Sequence, residues 1–96
     1  MTGKPIGVSL SQTETILNQK GLHARAAARF AETVALFEAE VNVSKDGQTV
    51  SGKSIMGLMM LAASPGSEIL IEAHGRDAEA VLKALSGLIQ TKFGED

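Results

Sequence analysis

Asp46-Gly47 stands in mid-chain between two short runs of strand character. Residues 40–44 alternate polar and apolar, with Val41 and Val43 on one face, and Val50 follows the pair. The tightest hairpin turns require φ > 0 at both central positions, which Asp-Gly tolerates. An antiparallel hairpin at this point argues against an all-parallel sheet and limits how the flanking segments can be arranged.

Around the hairpin, strand and helix patterns alternate. Residues 8–17 are rich in Ser, Thr and β-branched side chains and read as a strand, broken by residues 18–21. Residues 24–37 read as a helix, because Ala27, Phe30, Ala31 and Val34 fall at i, i+3, i+4, i+7 and the stretch lacks Gly and Pro. Residues 53–61 read as a short helix with Ser54 as N-cap. Ser64-Pro65-Gly66 is a turn, and residues 68–73 carry Ile69, Leu70 and Ile71, a buried-strand pattern. Asp77 then caps a last helix whose stripe is Val81, Leu82, Leu85, Leu88 and Ile89, ending near Phe93-Gly94. The order β-α-β-β-α-β-α predicts an α+β fold: an open-faced two-layer sandwich with a four-stranded sheet covered on one face by three helices.

With 96 residues and no linker or repeat, the chain is one domain over 1–96, with 1–7 a loose lead-in. It has no cysteine, so neither disulfides nor thiolate metal sites are available. Tryptophan and tyrosine are absent and phenylalanine occurs three times, which leaves the core to aliphatic residues, alanine and methionine. The net charge of −2 and the scarcity of aromatic rings speak against nucleic acid. The longest apolar run, 55–63, is too short to span a membrane, and no secretion signal pattern opens the chain. The expectation is a cytoplasmic protein, monomeric by default, whose chemistry rests on two histidines, serines and carboxylates.

Gly21-Leu22-His23-Ala24-Arg25 lies where strand gives way to helix. At a helix mouth the first N–H groups lack intrahelical partners and the macrodipole favours negative charge, so an anion is welcome there. Lys20, Arg25 and Arg29 make residues 20–30 basic and free of acid, and Arg25 and Arg29, at i and i+4, share a face. A neutral imidazole in that setting can accept and release a phosphoryl group, with N–H groups and guanidinium taking up its charge. The plainer alternative is a histidine that only caps the helix.

The helix after Ser54, Ile55-Met56-Gly57-Leu58-Met59-Met60-Leu61, is apolar all round. In a two-layer domain only one face of it can be buried, so Leu58 and Leu61 point inward and Ile55, Met56, Met59 and Met60 form an exposed patch suited to adaptable docking. The alternative is that all of them fill core. His74 reads as an exposed, solvated residue; with His23 it lacks a third ligand at usual spacing, so no metal is expected.

Gly21-Leu22-His23-Ala24-Arg25, the run 52–59 and Gly75-Arg76-Asp77 resemble, in order and spacing, the histidine-containing phosphocarrier (HPr) family of the bacterial phosphotransferase system. The resemblance covers about residues 8–93. It implies four antiparallel strands under three helices and no cofactor. It implies that enzyme I, charged by phosphoenolpyruvate, phosphorylates His23 on Nδ1, and that the group passes to EIIA-type acceptors. Arg25 would hold the phosphoryl group. Ser54 would be the target of the kinase/phosphorylase found in some bacteria. Ile55, Met56, Met59 and Met60, with Ala24 and Ala28, would form the docking surface, and Lys20 would add charge beside the phosphate. The protein would be a carrier, not a free-standing enzyme. Ala26 replaces the proline usual after the family's arginine; it resembles variants whose systems regulate nitrogen metabolism instead of serving sugar uptake. A regulatory binding module, read through Ser54 and the patch with an idle His23, is the competing hypothesis.

Overall fold

A computed structural model describes residues 8–95 of the chain; the expected lead-in at 1–7 lies outside the described residues. Strand β1 (Val8–Thr15) is followed by helix α1 (Ala24–Val34), strands β2 (Glu40–Lys45) and β3 (Gln48–Ser51), helix α2 (Ile55–Met60), strand β4 (Glu68–Gly75) and helix α3 (Ala78–Gln90). The strands form one sheet in the order β1-β4-β2-β3, and every pairing is antiparallel. The hairpin expectation holds: β2 pairs with β3 across Asp46 (φ 51) and Gly47 (φ 82), both in the left-handed region.

One face of the sheet carries Val41, Val43, Ile69, Ile71 and Ala73, all buried. The helices lay Phe30, Val34, Leu58, Val81, Leu85 and Ile89 onto it, so the expected two-layer arrangement is the observed one. Met56, Met59 and Met60 stay outside, as the patch reading expects, so methionine does not build the core that composition assigned it in part; Phe30 and Phe93 are its largest fully buried side chains.

Several element ends differ from the sequence reading; α3, for one, ends at Gln90 and not near Phe93-Gly94. Strand β1 stops at Thr15: Ile16 turns inward to complete burial, its N–H donating to Ser67, and Leu17 is left exposed. Helix α1 ends at Val34, not Phe37. The Leu36 and Phe37 N–H groups donate to Thr33 and Val34, tightening the last turn without a glycine to signal it. Asp77 is the N-cap residue of α3, but its side chain makes no cap bond. Its Oδ2 accepts the Glu38 N–H at 2.8 Å while its own N–H donates to the Glu38 carbonyl at 3.0 Å. This clasp ties the entry of β2 to the entry of α3.

After α3 the chain doubles back. Lys92 and Phe93 are both left-handed, at φ 57 and φ 56, in a short 3-10 turn over Lys92–Gly94. Phe93 is driven into the core, and Arg29 Nη1 donates to its carbonyl oxygen. The C-terminal segment is thereby returned to the start of α1.

Candidate functional site

His23 is the N-cap of α1, with an extended backbone (φ −76, ψ −178) and no side-chain cap bond. A capping histidine would satisfy first-turn N–H groups; this ring faces elsewhere, which removes the cap-only reading. The α1 ladder begins with the Ala27 N–H on the His23 carbonyl, at 2.8 Å. Position 26 precedes that first bond, so neither alanine nor proline there disturbs the ladder. Ala26 itself is fully buried.

The His23 ring points at the returning C-terminal segment. Its Nε2 lies 2.6 Å from Glu95 Oε2, with the side chain 26% exposed. Glu95 Oε1 accepts from Asn18 Nδ2 at 3.0 Å, and the same amide donates to the Gly21 carbonyl at 2.8 Å. Asn18 is wholly buried beneath the loop. The Glu95 carboxyl is held below its ordinary value of 4.5. Burial pushes it up, but hydrogen bonds from Asn18 and His23 and the positive charges of His23 and Arg25 outweigh burial.

A carboxyl depressed in the folded state adds stability that is fully present above its unfolded value and is lost as pH falls through the folded one. The stability gap between the native chain and Glu95→Gln is therefore expected to be present above the carboxyl's ordinary value of 4.5 and to close as pH falls below it. Urea unfolding of both chains across that range checks it; a gap still unchanged at about pH 3 contradicts the pairing.

Beside the ring, Gln19, Lys20, Arg25, Arg29, Gly94 and Glu95 line an open cavity of about 360 Å³. The basic segment of the sequence thus becomes a basic wall, corrected in two ways. It is not free of acid in space, because Glu95 joins it, and Arg29 is engaged with the Phe93 carbonyl. Lys20 and Arg25 remain exposed on the cavity. Glu95 and Asn18 were not singled out by pattern: Glu95 is separated from His23 by 72 positions, and no short motif joins them.

The second region is α2, which packs against α1. Ser54 caps it, with Oγ accepting the Gly57 N–H at 2.9 Å. Leu58 and Leu61 are buried, whereas Ile55, Met56, Met59 and Met60 are 42%, 70%, 40% and 63% exposed, so the patch is a surface and not core. On α1, Ala24 is exposed and Ala28 half-buried. His74 takes no part. It is half-buried, its Nδ1 paired with Ser9 Oγ at 2.8 Å, near the end of β1 remote from the loop to His23. That hydrogen bond corrects the expectation of a simply solvated ring.

The family model described as the phosphotransferase-system HPr component phosphorylation site matches residues 10–91. The chain belongs to the HPr family. The phosphocarrier protein HPr of Neisseria meningitidis is 49% identical over 86 residues, covering 90% of this chain and 97% of that protein. The phosphocarrier protein NPr of Shewanella violacea is 38% identical over 86 residues, covering 90% and 94%. The crystal structure of HPr from Thermoanaerobacter tengcongensis superposes with a TM-score of 0.86 at 45% identity, covering 91% of this chain and 98% of that one. HPr relatives thus share the whole sandwich with this chain. Among the described residues no helix is long and apolar enough to cross a membrane.

Proposed function

We propose that this HPr-family chain takes a phosphoryl group from phospho-enzyme I on His23 and passes it to EIIA-type acceptors. The observation that carries the reading is the ring of His23. Its Nε2 is engaged by Glu95, and no partner among the described residues is found for Nδ1, at a helix mouth beside a basic cavity. Arg25, and Lys20 more weakly, would neutralise phosphoryl oxygens as they arrive. The first-turn N–H groups of α1 would add to this. In this role the chain is a carrier that is chemically altered and restored, not an enzyme with its own substrate.

The exposed patch of Ile55, Met56, Met59 and Met60, flanked by Ala24 and Ala28, is proposed as the surface on which donor and acceptor dock in turn. Flexible thioethers suit a surface that must fit more than one partner. Site and patch lie on one chain, so the working unit is proposed as a monomer, acting in the cytoplasm where phosphoenolpyruvate is made. The direct test is incubation with enzyme I and phosphoenolpyruvate, followed by intact-mass measurement. One acid-labile phosphoryl adduct supports the reading; none overturns it.

Ser54 is proposed as a control point for an HPr kinase/phosphorylase. A phosphate there adds roughly −1.5 to −2 charges at the edge of the apolar patch. Ser54→Asp should imitate the effect in part without harming the helix, since Asp caps as well as Ser. The expected result is an unchanged unfolding midpoint and about tenfold slower phosphorylation of His23 by enzyme I. An unchanged rate would remove Ser54 from the docking scheme.

A further inference from the structure

The role assigned to His23 leaves Glu95 without a part, although its carboxylate makes the shortest approach to the ring. We propose that Glu95 is a positioning residue for His23: it accepts the Nε2 proton, presents Nδ1 as the lone-pair nitrogen, and balances the positive charge the ring gains on phosphorylation. The inference rests on the phosphocarrier reading of His23.

The pairing decides the tautomer. An ionised carboxylate can only accept, so at 2.6 Å from Oε2 the Nε2 atom must carry hydrogen. In a neutral imidazole the other nitrogen then holds the lone pair. Nδ1 is therefore the nucleophile by construction, and the ring plane is fixed by a partner that is itself held.

Glu95 is held directly by Asn18 and indirectly through the anchored Phe93 before it. Asn18 Nδ2 donates to its second oxygen at 3.0 Å. Arg29 clamps the carbonyl of Phe93, two residues earlier. The Phe93 side chain is fully buried, anchoring the turn in the core. The Glu95 side chain is 15% exposed, so it is a seated group and not a loose tail.

The transfer balances without moving a proton. The Nδ1 lone pair forms the bond to phosphorus as the donor's bond to phosphorus breaks, and that electron pair stays with the donor. Nε2 keeps its hydrogen, so the ring becomes a positively charged phosphoimidazolium facing the Glu95 carboxylate. When the group moves on, the Nδ1–P electron pair returns to the ring and the charge disappears. The carboxylate thus favours formation of the adduct, while the positive ring keeps it transferable.

Two variants test this: Glu95→Ala removes the acceptor, and Glu95→Gln removes the charge and leaves one oxygen for two donors, the Asn18 amide and the His23 Nε2–H. Nitrogen NMR of the ring, read on the alkaline plateau of a pH series, gives the tautomer directly. The native chain should show Nε2 protonated and Nδ1 bare, and both variants should shift away from that form, Glu95→Ala toward an average of the two. Phosphorylation by enzyme I should be about tenfold slower in Glu95→Ala, with Glu95→Gln between, because partial exposure screens the carboxylate. Ring signals and a rate both unchanged in Glu95→Ala overturn the proposal. A faster rate also overturns it, since the carboxylate would then be a competitor for the phosphoryl site. A native chain that accepts no phosphoryl group removes the role of His23, and that of Glu95 with it, even where the ring signals respond.

Discussion

Replacing His23 with alanine should reduce acid-labile phosphoryl uptake from enzyme I from about one group per chain to none, because no other side chain at the site is a nucleophile of the right kind. The neighbours on the cavity are Gln19, Lys20, Arg25, Arg29 and Glu95. The amide, the guanidinium groups and a protonated lysine are not nucleophiles, and the Glu95 carboxylate is engaged by His23 and Asn18. The internal control is His74, whose Nδ1 is occupied by Ser9 and which lies on the sheet, away from the helix mouth. His74→Ala should label like the native chain. The fold should tolerate the change at His23, because the ring makes no cap bond and is partly exposed. Persistent acid-labile labelling of a folded His23→Ala chain would place the chemistry elsewhere.

The largest expected loss of stability from a single methyl group is at Gly21. Its φ is +65, and a Cβ there would drive into the Ala63 carbonyl oxygen, well inside van der Waals contact. That oxygen already accepts the Leu22 N–H at 2.9 Å, while the Gly21 carbonyl takes the Asn18 amide. The methyl group therefore strikes backbone that cannot yield without breaking the loop that aims His23. Left-handed alanine costs about 1 kcal/mol, and the collision brings the total to about 3 kcal/mol. For a domain of this size that lowers Tm by about 15 °C. Gly47→Ala is the comparison: φ is +82, but nothing lies within 4 Å of the added carbon. It should cost only the backbone term, about 1 kcal/mol. Thermal unfolding of both variants separates the two effects, and equal losses would mean that the approach of Ala63 is unimportant.

The parts of the fold that were legible in the sequence share a local cause. Asp46-Gly47 determines its own turn, the stripes of α1 and α3 state their buried faces, and Ser54 announces its helix within four residues. The end of α1 was not legible, because nothing at Ala35, Leu36 or Phe37 breaks a helix. The chain stops there through tertiary packing and a tightened last turn. The basic half of the site was readable because Lys20, Arg25 and Arg29 are close in sequence. Its acidic half was not. Glu95 reaches His23 through three consecutive left-handed residues, Lys92, the buried Phe93 and Gly94, and a clamp from Arg29. Each of those is ordinary in isolation, and only the folded chain brings them to one point. Asp77 teaches the same lesson in small: a residue type that favours capping was drawn away by the Glu38 N–H.

The return of the chain at Lys92–Gly94 also decides where the molecule can be handled. A purification tag, fluorophore or surface tether joined after Glu95 would emerge beside His23, over the cavity and across the path of any docking protein. One joined ahead of β1 would emerge at the far end of a strand about 24 Å long. For binding or transfer assays the attachment point is therefore the front of the chain. A kinetic comparison of the two fusions would measure how much free space the site needs.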